Sequence, residues 1–273
     1  MTDQIPFIKM HGLGNDFVII DMRDSGLKIS AHLARCLSHR NFGVGFDQLA
    51  LIDDSSEADV SLTFLNSDGS VAGTCGNATR CVAKYEMDRL GCSELTLKTK
   101  RGVLRAHRQN NLVRVNMGHP LLKWSDIPLA QATNTLHLPL DGAPTATGMG
   151  NPHCTFFVSD ADAVDLKNIG PKIENNCLFP EGTNVQIAHI VSKNYIRMRV
   201  WERGVGITLA SGSSSCATAV AAARLGLTGR SVKIELDGGP IYIEWAEDGV
   251  WMTGETLHVF SGTLTQEFLE NLK

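Results

Sequence analysis

NSDGSVAGTCGNATRCVAKYEMDRLG, residues Asn66 to Gly91, is the stretch from which the fold is read. It opens polar and broken by glycine, then takes up a helical pattern at Thr74 or Cys75. Ala78, Cys81, Val82, Tyr85 and Leu90 recur at roughly helical spacing, and Gly91 supplies a stop. The pattern predicts that Cys75 stands at a helix N-terminus, in front of backbone N–H groups that have no partner inside the helix. That position favours anions and lowers the pKa of a thiol. The N–H groups of Gly76 and Asn77 can meanwhile hold a substrate carboxylate.

The same pattern returns 136 residues later. Asn15 is answered by Asn151, Gln48 by Asn184 and Asn66 by Glu202. Cys75 is answered by Ser211, Gly76 by Gly212, Asn77 by Ser213, and Gly14 by Gly150. The second helix reads SGSSSCATAVAAARLG from Ser211 and stops at Gly226, the counterpart of Gly91 after a one-residue deletion. Two related folding units are the simplest cause. Residues that keep one register across both halves are expected to face each other across a single site.

A chain of 273 residues has room for one large or two medium domains. A hydrophobic content of 43% and a charged content of 20% are those of a soluble globular protein. The start, MTDQIPF, carries neither a basic nor an apolar leader region, and no apolar run is long enough to span a bilayer. A net charge of −4 gives no general attraction to nucleic acid or to anionic membranes. Lys98, Lys100, Arg101, Arg105 and Arg108 read as the wet face of a hairpin. Seven cysteines, an odd number without a secretory signal, point to reduced thiols in the cytoplasm. No C-x-x-C pair, HExxH or tight His/Cys cluster suggests a metal.

In chain order, Ile5 to Met10 reads as a strand, His11 to Asn15 as a loop and Phe17 to Asp21 as a strand. Ser30 caps a short helix running to Arg40, with Leu33, Ala34 and Leu37 inward. Strands follow at Leu49–Ile52 and Val60–Leu65, then the central helix. Three more are expected near residues 95–100, 103–107 and 113–117. Pro120, Pro128, Pro139 and Pro144 mark the crossing between domains. The second unit repeats the plan, with strands at residues 155–158, 185–189 and 195–201 and then the helix from Ser211. Strands at residues 232–236, 241–245, 250–253 and 257–259 and a short terminal helix from Gln266 complete it. The fold class is α+β: two pseudo-symmetric domains, each a curved, mostly antiparallel sheet around a central helix, with the active-site cleft between them. The domains are residues 1–117 with 263–273, and residues 118–262.

Gly43-x-Gly45 and Gly204-x-Gly206 lack the context of a nucleotide loop, so no cofactor is implied. Asn77-Ala-Thr79 matches a glycosylation acceptor in a chain that nothing routes to secretion. His107, His137 and His189 read as structural, and Cys81 and Cys216, repeat-mates inside the two helices, as core thiols. No GxSxG elbow surrounds Ser211 to Ser215. Cys75 is the residue best placed for chemistry.

CGNATR with NSDG upstream, GFDQ, HGLGNDF, GNPH, FPEGTNV and WERGVG together resemble diaminopimelate epimerases, nearly end to end and in the right order. The resemblance implies a pyridoxal-independent isomerase of lysine and cell-wall biosynthesis, interconverting LL- and meso-diaminopimelate. It implies a small-molecule substrate, no cofactor and no nucleic-acid or membrane partner, and it allows a homodimer. By motif match, Cys75 is one catalytic base. Asn15, Gln48, Asn66, Gly76, Asn77, Asn151, Asn184, Glu202, Arg203, Gly212 and Ser213 bind substrate, and His153 and Glu202 assist at the reacting centre. The chemistry agrees with that role. Taking an α-proton without a cofactor leaves a carbanion, which two helix N-termini aimed at the α-carboxylate would stabilise.

The chain departs from the family at the second base. The family pattern is A-C-G followed by Ser or Thr; here it is Ala210-Ser211-Gly212-Ser213. A hydroxyl is far less acidic than a thiol. Cys216 cannot substitute, because five residues turn a helix by about 500° and advance it ~7.5 Å. Ala78 stands for a family glycine and Ile207 for a common glutamate. Three readings follow: an epimerase in which Ser211 is either tolerated through His153 or Glu202 or an introduced replacement for cysteine, a one-base dehydratase or isomerase, and a non-catalytic amino-acid-binding relative.

Overall fold

The computed structural model describes residues 4–272 apart from 24, 27 and 74. The first half runs β1 (Ile5–Gly12), β2 (Asn15–Asp21), α1 (Ala31–Ser38), β3 (Gln48–Asp53), β4 (Val60–Asn66), β5 (Val71–Ala72), α2 (Gly76–Leu90), β6 (Glu94–Thr99), β7 (Gly102–Gln109) and β8 (Leu112–Asn116). The second runs β9 (Thr145–Gly148), β10 (Pro152–Phe157), α3 (Leu166–Glu174), β11 (Asn184–Ser192), β12 (Tyr195–Glu202), β13 (Gly206–Thr208) and α4 (Gly212–Arg224). It continues through β14 (Ser231–Leu236), β15 (Gly239–Ala246), β16 (Gly249–Gly254), β17 (Leu257–Leu264) and α5 (Gln266–Glu270). The chain divides into two units, one of residues up to Val115 and from Glu255 on, the other Asn116–Gly254.

In the first unit β1 and β2 form a hairpin that stays paired to Gly12 and Asn15. The expected loop from His11 to Asn15 contracts to Leu13-Gly14, whose φ angles of 56° and 81° are those of a two-residue turn that matches strand twist. The short turn brings Asn15 to the very start of β2. β2 runs parallel to β3 with Phe17 opposite Gln48, and β3 runs antiparallel to β4 with Gln48 opposite Asn66. β4, β6 and β7 carry the sheet on, and α2 packs against β1, β2, β3, β6 and β7. Ala78, Cys81, Val82 and Ala83 are small enough for α2 to be buried on most sides.

The second unit keeps the same register. β10 runs parallel to β11 with His153 opposite Asn184, which is the Phe17–Gln48 pair moved by 136 residues. Val185 opposite Trp201 repeats Leu49 opposite Leu65 in the same way. α4 lies against β9, β10, β11, β14, β15 and β16, with Ala217, Ala219, Ala221 and Ala222 buried.

Three sequence expectations change. β17 pairs antiparallel with β1, so residues 255–262, read as part of the second unit, fall with the first. The proline-rich stretch after residue 118 is not a bare crossing: Ile127, Leu129 and Leu138 pack with Ala146, Cys154, Leu178 and Phe179 in the core of the second unit. α3 was not expected, because its Gly170-Pro171 pair reads as a helix break. Gly170 is buried where a Cβ would collide with the Trp201 ring, so packing overrides local propensity there.

One ionic cluster ties the start of β2 to the loop after α1. Arg40 reaches Asp16 at 2.8 Å and Asp47 at 2.9 Å, and Lys9 donates to Asp16 Oδ2 at 2.5 Å and to the Gly45 carbonyl. Burial opposes ionisation of Asp16, but the hydrogen bonds from Arg40 and Lys9 overcome it and hold its pKa at about 2. A depressed carboxyl pKa contributes stability above the unfolded value, and that contribution is lost as pH falls from about 4 towards 2. Asp16→Asn is therefore expected to cost about 2 kcal/mol at pH 6 and much less at pH 2.5, measured by urea unfolding. An equal cost at both pH values would refute the ionic account.

Candidate active site

Cys75 is the N-cap of α2, with φ −143° and ψ 102°. Thr74, the other candidate start, lies outside the described residues. Cys75 Sγ accepts from the Ala78 N–H at 3.4 Å, so the sulfur sits against the positive end of the helix. Thr79 Oγ1 donates to the Cys75 carbonyl at 2.8 Å and holds the cap in place. Gly91 ends the helix at φ 68°.

Polar side chains from β2, β3, β4 and α2 gather in the same unit. Asn77 Nδ2 donates to Asn15 Oδ1 at 3.2 Å, and Asn15 Nδ2 donates to Asp47 Oδ2 at 2.8 Å. Gln48 Nε2 donates to Asn66 Oδ1 at 2.9 Å, and Asn66 Nδ2 to Ser70 Oγ at 3.1 Å. Asn77 is buried inside α2, which removes it as a glycosylation acceptor.

Ser211 caps α4 with nearly the same backbone, φ −138° and ψ 117°. Ser215 Oγ donates to the Ser211 carbonyl at 2.8 Å, repeating Thr79 and Cys75 at the same offset. The side chain behaves differently. Ser211 makes no cap bond to its own helix; its Oγ donates to Glu202 Oε2 at 2.8 Å. Thr208 Oγ1 donates to the other oxygen, Glu202 Oε1, at 2.6 Å. The serine is thus backed by a carboxylate that Thr208 steers.

His153 is held by three polar side chains of the same unit. Its Nε2 is 2.9 Å from Asn151 Oδ1, and its Nδ1 is 3.0 Å from Gln186 Nε2 and 3.5 Å from Ser214 Oγ. Asn184 is tied to backbone at both ends, donating to the Pro152 carbonyl at 2.9 Å and accepting from the Arg203 N–H at 3.1 Å. The Arg203 guanidinium donates to the Glu181 carbonyl at 2.8 Å. Thr208, Gln186, Ser214, Asp47 and Arg80 are additions to the residues read from sequence. Arg80 was within view, three residues after Asn77 on one helix face, and Asp47 and Ser214 directly adjoin Gln48 and Ser213; Thr208 and Gln186 are neighbours only in the fold.

Cys81, Cys154 and Cys216 are fully buried. Burial pushes the Cys81 thiol up to about 12 against the opposing pull of Arg80. Cys81 and Cys216 are therefore packing residues, although at the 136-residue offset the position answering Cys81 is Ala217 and Cys216 answers Arg80. Among the described residues no cluster of His, Cys, Asp and Glu could hold a metal ion, and no helix is long and apolar enough to cross a membrane.

Two like α+β units, each built round a helix whose N-cap carries a candidate base, define the two-domain fold of the epimerase and PhzF enzymes. A hydroxyproline epimerase from Agrobacterium vitis superposes with a TM-score of 0.68 over 97% of this chain and 94% of its own, at 12% identity. A Bacillus anthracis phenazine biosynthesis protein of the PhzF family gives 0.68 over 96% and 99%, at 14% identity. Sequence narrows the class. The diaminopimelate epimerase family profile matches residues 7–123 and 145–259. A diaminopimelate epimerase of Rhodospirillum centenum is 50% identical over 96% of this chain and 93% of its own, and one of Gluconobacter oxydans 48% over 95% and 98%. The chain belongs to the diaminopimelate epimerase family, a family of isomerases.

The placement of the thiols yields a test. Cys177 is exposed and Cys75 only partly so, whereas Cys81, Cys154 and Cys216 are buried. Iodoacetamide is expected to modify Cys75 faster than any of the other six, Cys177 included, because the helix N-terminus stabilises its thiolate. Bound diaminopimelate should protect it. Labelling in order of exposure, without protection, would contradict a reactive Cys75.

Proposed function

We propose that the protein is a cytoplasmic, pyridoxal-independent epimerase that interconverts LL- and meso-diaminopimelate, in the supply of lysine and peptidoglycan precursors. The observation that carries this reading is the shared plan of the two helix N-termini: base-type side chains stand at both caps, 136 residues apart, Cys75 on α2 and Ser211 on α4. Backbone N–H groups at both caps suit an α-carboxylate whose negative charge grows as the proton leaves. Family membership names the substrate class.

Inversion needs a proton acceptor on one face of the carbon and a donor on the other. In one direction the Cys75 thiolate takes the α-proton and becomes a thiol. The Ser211 hydroxyl gives its proton to the opposite face while a protonated Glu202 returns one to Ser211 Oγ, leaving Glu202 ionised. In the reverse direction the α-proton passes to Ser211 Oγ, the hydroxyl proton passes to Glu202 Oε2, and the Cys75 thiol reprotonates the other face. The 2.8 Å bond from Ser211 to Glu202 supports Glu202 for this role. His153, engaged with Asn151, Gln186 and Ser214, holds Asn151 for the substrate. The substrate-binding set is as the motifs imply: Asn15, Gln48, Asn66, Gly76, Asn77, Asn151, Asn184, Glu202, Arg203, Gly212 and Ser213.

A hydroxyl backed by a carboxylate is a poorer match to working pH than a thiol at a helix N-terminus. Ser211→Cys is therefore expected to raise epimerisation in both directions, by on the order of 10²-fold. Glu202→Gln in the Ser211 protein should abolish inversion while exchange on the Cys75 face persists. If the unaltered chain already inverts as fast as the Ser211→Cys variant, the two-base assignment is wrong. Exchange or elimination without inversion would instead favour a one-base dehydratase or isomerase.

A further inference from the structure

The two half-sites differ at one buried position. In α2 the residue five beyond the cap is Arg80, fully buried; in α4 the residue at the same register is Cys216. Arg80 Nη2 donates to Asn77 Oδ1 at 2.8 Å, and Gly12 gives it room: a Cβ there would come within 3.1 Å of Nη2.

Arg80 begins a chain of polar contacts whose direction is fixed at both ends. A guanidinium only donates, so the Asn77 oxygen must face Arg80 and its nitrogen must face Asn15 at 3.2 Å. At the far end the Asp47 carboxylate only accepts, so the Asn15 nitrogen must face Asp47, at 2.8 Å, and its oxygen must face Asn77. Asp47 is itself held by Arg40 at 2.9 Å and by the Asp16 N–H at 3.1 Å, on the cluster that anchors β2. With neutral groups at both ends, either carboxamide could turn over. Here neither can do so without setting a donor against a donor or an acceptor against an acceptor.

We propose that Asp47 and Arg80 are positioning residues that lock the Asn15 carboxamide with its nitrogen outward, so that its second N–H is held ready for a carboxylate of the bound amino acid. The inference rests on the functional reading above for the identity of the ligand, but not for the polarity of the chain. A turned Asn15 would present its oxygen to that carboxylate, replacing a hydrogen bond with a repulsion. The oxygen of Asn151, the repeat-mate of Asn15, is held by His153.

Asp47→Ala, which unlike an asparagine leaves Asn15 no side-chain oxygen to donate to, gives a test with a distinctive sign. The Asp47 side chain is 43% exposed, so the substitution leaves the core intact; a thermal melt verifies this. Removing a negative charge near a carboxylate subsite would by Coulomb's law alone leave binding unchanged or tighten it. The positioning role predicts the opposite: a Kd for diaminopimelate, by calorimetry, weaker by about tenfold. Equal or tighter binding would overturn the proposal. The same polarity is read without ligand by neutron diffraction from deuterium-exchanged crystals of the unaltered protein. Deuterons on the Asn15 nitrogen directed at Asp47, and on the Asn77 nitrogen directed at Asn15, are expected; the reverse arrangement would overturn the lock. Failure of the unaltered protein to bind diaminopimelate would strike the functional reading instead, leaving the neutron result to judge this one.

Discussion

The N–H groups left over at the start of a buried helix are the constraint on which the rest of this protein depends. An α-helix cannot pair its first four N–H groups internally, and burying them unpaired costs free energy. α2 and α4 are wrapped by sheet, so their ends have few choices of partner. Both start on a small polar residue in extended conformation, and each uses a hydroxyl one turn later, Thr79 or Ser215, to hold the cap carbonyl. The positive ends that remain suit an amino-acid carboxylate. The sheet, the caps and the site are consequences of one device used twice.

Using it twice does not make the halves equal. In the first unit the cap atom is a sulfur in contact with its own helix, and the Asn77 and Asn15 amides are drawn into an ionic chain from Arg80 to Asp47. In the second the cap hydroxyl leaves its helix for Glu202, and Asn151 leans on a histidine. A thiolate is stabilised directly by N–H groups, whereas a hydroxyl that must lose its proton needs a neighbour to receive it. Glu202 occupies the register of Asn66, so the carboxylate stands in the half that carries the weaker acid.

Much of this was legible in the sequence because the repeat preserves register. An offset of 136 residues, read from Asn15, Gln48, Asn66 and Cys75, is the offset at which strand pairs recur. Gly91 and Gly226 mark the helix ends because only a left-handed turn, at φ 68° and 69°, ends them so abruptly. What stayed hidden depends on contacts between residues distant in sequence. β17 joins β1 across most of the chain, and no local pattern announces that pairing. α3 survives a Gly-Pro break because Trp201 packs against it. Asp47 and Thr208 look like ordinary loop and strand residues until the fold brings them to Asn15 and Glu202.

The central claim is that this chain moves an α-proton through both faces of one carbon, and deuterium reports it most directly. Incubating the unaltered protein with LL- and, separately, meso-diaminopimelate in deuterated water, and following α-deuteration by mass together with configuration by chiral chromatography, separates exchange from inversion. The account predicts that each isomer yields the other, with one deuteron in every inverted product molecule. Product without deuterium, or exchange from both isomers with configuration retained throughout, would contradict it.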